Sequence, residues 1–428
     1  MGEVAELGLD AAAMTITGAD TSRTPNEGYT AGSMSISQGG LALRYAASAA
    51  RVLVLREAGR RLNADFGSLH VRDGLICQED TLTGLDLREI ACDIDLGVSV
   101  TDFAAPLPPE ERREAVSQLS RIDLEARVLG TPFVHDLAPD GLLHGRVVQP
   151  PEYRARLGEI DIAGLKARPG VIAVVRDGSF LGIVANSAVE AIAAETWASR
   201  RAEWELPDRT TPGSPREIVR DYGGEAETVV EKGDTGALPG RVFEITVTRP
   251  FLSHGSIGPS AALAVWRDGR LEIRSHSQGV FQLRTAIAQV LDMDQDDIDI
   301  AHAPGAGCYG HNSADDAALD AAILARAVPG RPVRVVWRRA DEFRAGPLGP
   351  AMATTARAAL DGDGRILAAK VTVNSAPHAN RPASNGAPWL LSGTRLAKPV
   401  PFPASKDVPL ARGGGADRNA VPYYQIPN

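Results

Sequence analysis

Apolar residues recur at helical spacing between positions 40 and 63, where Leu41, Tyr45, Ala49 and Leu53 share one face of a segment rich in Ala, Leu and Arg. This predicts one long helix. Elsewhere the period shortens to two. Residues 14–17 alternate like a strand, and residues 69–76 read as a hairpin with Asp73-Gly74 as its turn. Residues 141–148 and 171–178 are strand-like, and the apolar run 180–185 precedes a helix predicted from Ser187 to about Glu203. Farther on, strands are predicted over 241–247, 261–266 and 271–275, then a helix near 282–291 and a strand near 298–301. After a glycine loop, a helix near 314–327 and a strand over 333–337 complete the run. Strands and helices alternate, so the fold class is α+β (mixed α/β).

Two stretches interrupt the pattern. Residues 98–120 contain Leu107-Pro108-Pro109 followed by charged residues and read as a linker. Residues 206–238, rich in Pro, Gly, Asp, Glu and Thr without clear periodicity, read as a second. Residues 20–37 carry the Gly, Ser, Thr and Asn content of a loop with many turns and exposed amides.

The chain has 428 residues, room for two or three domains, and 44% hydrophobic residues argue against wide disorder. Lys and Arg total 45 against 54 Asp and Glu, a net charge of −9, and aromatics are 5%. Both numbers argue against a general nucleic-acid binder, which needs cations for phosphates and rings for bases. No apolar run reaches the roughly 18 residues of a membrane span. The acidic N-terminus lacks the basic and apolar regions of a signal peptide. Cys77, Cys92 and Cys308 stand far apart, with no CxxC, and the eight histidines include no HExxH. A reducing, cytoplasmic setting is the expectation, with periplasmic assembly alongside a partner left open. No metal cage built from side chains is expected.

Residues 305–310 (GAGCYG) match G-x-G-x-x-G between a predicted strand and a predicted helix. Three readings stand. A nicotinamide or flavin site is disfavoured, because Asp315 and Asp316 would compete with a pyrophosphate for the positive helix end and no acidic residue lies about 20 positions on. The second is a tight turn with the two aspartates complementing the helix dipole.

The third reading is a resemblance. Residues 305–318 (GAGCYGHNSADDAA) resemble the glycine loop of molybdenum hydroxylase (xanthine dehydrogenase/aldehyde oxidase family) large subunits, in the branch of isoquinoline 1-oxidoreductase and nicotinate dehydrogenase. The runs 252–260 (LSHGSIGPS), 275–281 (SHSQGVF), 330–337 (GRPVRVVW) and 417–422 (DRNAVP) agree in order and approximate spacing. Residues 24–35 (TPNEGYTAGSMS) resemble a pterin-contacting loop of that family, and 141–151 (GLLHGRVVQPP) its hammerhead domain. The resemblance implies a permuted cofactor-binding segment over 1–97, a hammerhead-like domain over 121–205, and the first half of a molybdenum-cofactor-binding domain over 239–428.

The resemblance further implies a molybdopterin cytosine dinucleotide cofactor, its metal held by the pterin rather than by protein ligands. Loops of small residues suit such an anion, since their N–H groups approach closely. The implied cofactor-binding residues are Thr30, Ala31, Gly32, Ser33, Ser35, Gln38, Gln278, Gly279, Gly305, Ala306, Gly307, Cys308, Tyr309 and Gly310. Gln278, Cys308 and Tyr309 would lie nearest the metal. The implied reaction hydroxylates an N-heterocycle or oxidises an aldehyde, with water as oxygen source and small molecules as substrates. Electrons would leave through 2Fe-2S or haem groups, carried only on partner subunits such as a cytochrome c.

Several family features are missing. No Gly-Gln-Gly motif precedes the 30–35 loop, and no Gly-Glu motif supplies the general base, so no catalytic residue is assigned. Gly258 and Asn312 stand where other relatives have glutamates. The chain thus looks like about the first half of a large subunit. The expected partner is a second large-subunit chain carrying the C-terminal half, without which this one would be inactive and would expose an apolar face. A relic or interaction subunit of the same fold, without cofactor, is the alternative. His378 and Arg381 are read as an ordinary solvated loop, with a border of the substrate funnel as the alternative, and Arg338, Arg339 and Arg344 with Asp341 and Glu342 as a surface ion-pair cluster.

Overall fold

The computed structural model describes residues 6–10, 13–99, 105–110, 123–208, 214–221, 224–233, 238–305, 307–378, 380–383, 386–410, 414–418, 422 and 424–427. The chain forms two compact units: residues 1–18 with 27–132, and residues 19–26 with 133–428.

In the first unit the predicted long helix is Leu41–Leu62, entered through a single wide turn, Ser35–Gly40. It packs on an antiparallel sheet of β1 (Leu69–Arg72), β2 (Leu75–Gln78) and β3 (Thr81–Asp86) and on the helix Leu87–Asp93. Val54, Leu55, Ala58, Leu69, Ile76 and Ile90 form the core. The Asp73-Gly74 turn lies at φ 52° and 81°, the left-handed pair that a two-residue hairpin loop needs. Residues 14–17 take no regular structure, and Ile16 is exposed. Their alternation finds no strand to pair with, and alternation alone does not stabilise an isolated strand. Within the expected first linker, Leu107 donates its N–H to the fully buried Glu6 (2.9 Å), which also meets Arg44 at 2.9 Å. Residues 100–104 and 111–120 of that linker lie outside the described residues.

The second unit is built on a seven-stranded mixed sheet. Its strands are β4 (Leu143–Val147), β6 (Val171–Asp177), β7 (Phe180–Ala185), β11 (Ala261–Arg267), β12 (Arg270–Ser275), β13 (Ile298–His302) and β14 (Val333–Val336). Their order is β13-β12-β11-β14-β4-β7-β6, with β13 parallel to β12 and β14 parallel to β4. Three strands come from residues 121–205 and four from 239–428. Short pairs, β5 (Arg156–Leu157) with β8 (Trp204–Glu205) and β10 (Leu252–Ser253) with β15 (Leu348–Gly349), flank it. A second antiparallel sheet joins β9 (Arg241–Arg249), β16 (Met352–Leu360) and β17 (Ile366–Ser375), with β16 central. Residues 19–21 add to the free edge of β13, where Thr21 donates its N–H to the Ile300 carbonyl at 3.0 Å.

β7 is buried throughout, as its unbroken apolar run predicts for a strand covered on both faces. Phe180 and Val184 face one core with the helix Ala314–Arg326, while Leu181 and Ile183 face another with the helix Ala188–Ser199. The helix Ala314–Arg326 is buried at every position from Ala314 to Ala325. Two strand glycines let it approach. A Cβ on Gly145 would fall 2.7 Å from Leu324 Cδ1, and one on Gly182 would fall 2.4 Å from Leu324 Cδ2. The second expected linker contains one short helix, Pro215–Arg220, started by a Ser214–Glu217 capping box with proline in the first turn. It packs on β16, β17 and β9.

Replacing Gly182 by alanine forces Leu324 and the Phe180 ring to shift inside a closed core. The expected loss is about 1–3 kcal/mol of stability, read from chemical denaturation of the full chain. A variant as stable as the parent would show that the helix does not rest on this strand.

Candidate functional site

The turn after β12 sets the first wall of the site. Ser275 Oγ accepts the Ser277 N–H and Ser277 Oγ accepts the Gly279 N–H, both at 3.1 Å. These local bonds stop the strand and deliver Gln278 and Gly279 to the start of the helix Val280–Leu291. The glycine loop follows β13, whose pairing continues one step as Ala303 N–H donates to the Ser275 carbonyl (2.8 Å). Ala306 lies outside the described residues.

Gly305 packs on a buried imidazole: a Cβ there would fall 2.5 Å from His276 Nδ1. His276 Nε2 accepts the Ala261 N–H (3.2 Å), which places the ring proton on Nδ1. Burial, reinforced by neighbouring His135, pushes its pKa down to about 4, so this imidazole is neutral. Gly307 and Gly310 adopt φ 90° and 116°, and Tyr309 between them adopts 55°. The Gly307 carbonyl accepts from Asn312 Nδ2 (3.3 Å), and Asn312 Oδ1 accepts the Ala314 N–H (3.1 Å). The loop is thereby tied to the helix that follows.

Two further supports come from distant segments. Ser256 Oγ donates to the Cys308 carbonyl (3.3 Å), Ser256 N–H donates to His254 Nδ1 (3.1 Å), and His254 Nε2 lies 2.9 Å from Glu342 Oε2. On the other side, Arg381 Nη1 donates to Gln278 Oε1 (2.8 Å) and Arg381 Nη2 to the Gly310 carbonyl (3.0 Å). The Cys308 thiol lies within reach of the same two acceptors, at 3.2 and 3.0 Å. Burial raises its pKa, so it stays a protonated thiol and a poor metal ligand.

Of the sequence-predicted residues, Gln278, Gly279, Gly305, Gly307, Cys308, Tyr309 and Gly310 come together in the second unit. Thr30, Ala31, Gly32, Ser33, Ser35 and Gln38 belong to the first unit. There Gly32 and Ser33 take left-handed φ values of 64° and 58°, and Ser35 and Gln38 lie in the wide turn before the long helix. Two expectations need correction. Glu342 and Asp341 are not at the surface: both are buried, Glu342 accepting the Ser260 N–H (2.6 Å) and Arg338 pairing with buried Glu195 (2.6 Å). Burial would raise the Glu342 carboxyl, but the His254 and Ser260 contacts outweigh it and hold it below its ordinary value. Arg381, half-buried, does more than sit on a solvated loop, since it also braces the glycine loop. Both were illegible because their partners lie 71 to 143 positions away.

The helix after the loop carries three buried carboxylates. Burial raises the first, Asp315, but His311 (3.2 Å), with Ser277 and Arg381, lowers it more, so it remains an anion. Asp316 accepts the Leu391 N–H at 2.7 Å, and burial, with Asp320 nearby, pushes its pKa up to about 8. Asp320, bonded to Trp337 Nε1 (2.9 Å) and to Ser392 Oγ, rises to about 6, again chiefly through burial. Asp316 is therefore protonated at neutral pH and does not act as an anion on the helix dipole. The expected competition with a bound anion falls to one carboxylate, already paired. β13 and β14, which flank the loop and helix, are separated by β12 and β11, unlike adjacent strands of a dinucleotide-binding βαβ unit.

Because Asp316 binds a proton in the folded chain that it releases when unfolded, its presence lowers stability as pH rises from about 4 to about 8. Asp316→Asn should gain stability over the parent by up to about 1.4 kcal/mol per pH unit across that window, measured by denaturation at pH 5 and 8. A pH-independent difference would place the proton elsewhere.

Two molybdopterin cofactor-binding domain models match the chain, over residues 4–118 and 213–393. A subunit of the nicotinate dehydrogenase of Pseudomonas putida is 32% identical over 95% of this chain and 34% of its own length. The membrane-bound aldehyde dehydrogenase [pyrroloquinoline-quinone] of Gluconacetobacter polyoxogenes is 23% identical over 61% of this chain and 36% of that protein. Among solved structures, reconstituted CO dehydrogenase from Oligotropha carboxidovorans shares the fold, with TM-score 0.50 and 18% identity over 62% of this chain and 40% of that one. The chain thus spans about a third of the length of the curated relatives it matches. Among the described residues no helix is long and apolar enough to cross a membrane.

Proposed function

The chain belongs to the xanthine dehydrogenase family of molybdenum hydroxylase large subunits, and from that premise we propose that it is the molybdopterin-binding part of an oxidoreductase acting on N-heterocycles or aldehydes. The observation that carries the reading is the glycine loop. Within one matched domain, distant segments hold Gly307, Tyr309 and Gly310 in left-handed conformations beside Gln278. Gly310 faces open space where a Cβ would stand, Arg381 sets a cation at the loop, and the nearest carboxylates are paired or protonated. Such a wall suits an anionic cofactor approached by backbone N–H groups.

In the second unit Gln278, Gly279 and residues 305–310 would hold the pterin side, and in the first unit Thr30, Ala31, Gly32, Ser33, Ser35 and Gln38 are the residues proposed for cofactor contact. The form we propose is the cytosine dinucleotide. When bound, the cofactor supplies an acidified water and an electron sink. The chain's own part is to bind and orient it. The quinone in the name of the Gluconacetobacter relative is a statement about that protein, whereas both domain models matching this chain are molybdopterin ones. Electron transfer would pass to 2Fe-2S or cytochrome c subunits.

The partner reading rests on the β9–β16–β17 sheet. Glu244–Arg357 and Thr246–Thr355 pair across one face. The other face presents Phe243, Ile245 and Val247 from β9 with Ala356, Val371 and Val373 beside them, and Ile245 is 61% exposed. We assign this face to a second large-subunit chain carrying the part of the family's subunit that this one does not match.

The assembled complex should contain about one molybdenum, with pterin fluorescence after oxidation and no quinone. Gly307→Leu, which puts a branched side chain at φ 90°, should cut both by more than half. Molybdenum-free complex would refute the reading. Separately, Ile245→Lys should abolish capture of the second chain in a pull-down while leaving the thermal midpoint of this one unchanged. Undiminished capture would show that the face is not the interface.

A further inference from the structure

Arg381 and Cys308 converge on one pair of acceptors, Gln278 Oε1 and the Gly310 carbonyl, although the four residues come from three segments. The two donors differ in kind. A thiol donates or accepts, so Cys308 tolerates either end of the Gln278 amide. A guanidinium only donates and is always charged, so Arg381 tolerates only the amide oxygen. We propose that Arg381 is a positioning residue: its forked guanidinium fixes the Gln278 amide with the oxygen turned into the clasp and the amino group turned away, and locks the end of the glycine loop to it.

The inference rests on the reading that this loop and Gln278 face the cofactor. A flipped amide would set its two N–H donors against the guanidinium, with no acceptor between them. The second arm holds the carbonyl of Gly310, a residue in the left-handed region at φ 116° that favours glycine. Together the arms make the donor side of Gln278 and the loop's N–H groups one preset surface, which removes ordering cost from cofactor binding. Lysine at 381 keeps the charge and the donor character but loses the fork, and should retain part of the effect.

Cys308 is a built-in reporter, because Cys77 is buried and exposed Cys92 can be replaced by alanine. In the full chain carrying Cys92→Ala, the pH profile of Cys308 alkylation is measured with arginine, lysine or alanine at 381. Removing the cation should move the midpoint up by about one pH unit and raise the limiting rate several-fold. Mere loosening of the loop would relieve burial and move the midpoint down. The assembled complexes are assayed for molybdenum and pterin in parallel, where Arg381→Ala should lose at least half of both and Arg381→Lys less. An unchanged or lowered midpoint overturns the proposal, as does full cofactor content with alanine. If the parent complex holds no molybdenum while the midpoint still rises, the clasp stands and the cofactor reading fails.

Discussion

A helix buried on all sides cannot carry charge cheaply, and that constraint organises the second unit. The helix Ala314–Arg326 enters the core of the seven-stranded sheet with three aspartates on it. Each is accommodated differently. Asp315 keeps its charge against His311, Asp316 gives it up and accepts a backbone N–H, and Asp320 sits between Trp337 and Ser392. Arg395, itself pushed down to about 10 by burial, lends its field to the last two and donates to Gln149. These arrangements draw β14 and the segment around 391–395 onto the helix. An aspartate without them would cost several kcal/mol in so dry a place.

The glycine loop is tied to this helix. Asn312 joins the two by bonding the Gly307 carbonyl and the Ala314 N–H, so loop geometry and helix start are one structure. The same chemistry resolves an apparent conflict in the sequence. Two acidic residues directly after a loop proposed to face an anionic cofactor look self-defeating, because carboxylates favour the positive helix end that an anion would use. Burial settles the competition by protonating Asp316, and His311 engages Asp315. That leaves one paired carboxylate, Asp315, and the Arg381 guanidinium as the charged groups described around the loop.

What the sequence revealed follows range. The Asp73-Gly74 hairpin, the continuous apolar run of β7 and the long helix were readable because period and turn chemistry are local. Residues 14–17 misled because alternation says nothing about whether a partner edge exists. The helix Pro215–Arg220 carried a readable start, Ser214-Pro215-Arg216-Glu217, inside a segment whose composition resembled a linker. The site divides the same way. Its glycines and Gln278 stood out as motifs, whereas Arg381, His254, Ser256 and Glu342 act across the fold and look like ordinary surface residues in a string. The arginines around Glu342 made it look solvated, yet it is the fully buried end of the His254–Ser256 chain that supports Cys308.

The three-stranded sheet shows the opposite balance from the buried helix. Its polar face is satisfied by cross-strand pairs, while Phe243, Ile245, Val247 and Val371 remain in solvent on the other. Fully covering a side chain of this size gains about 1.5–3 kcal/mol, so four of them offer several kcal/mol to whatever packs there. The solvated face of an antiparallel sheet is ordinarily its polar one. Here the wet face is the apolar one, and β9, at the sheet edge, also leaves backbone donors and acceptors to one side. The uncovered apolar area of this sheet is the physical basis of the proposed association with a second chain.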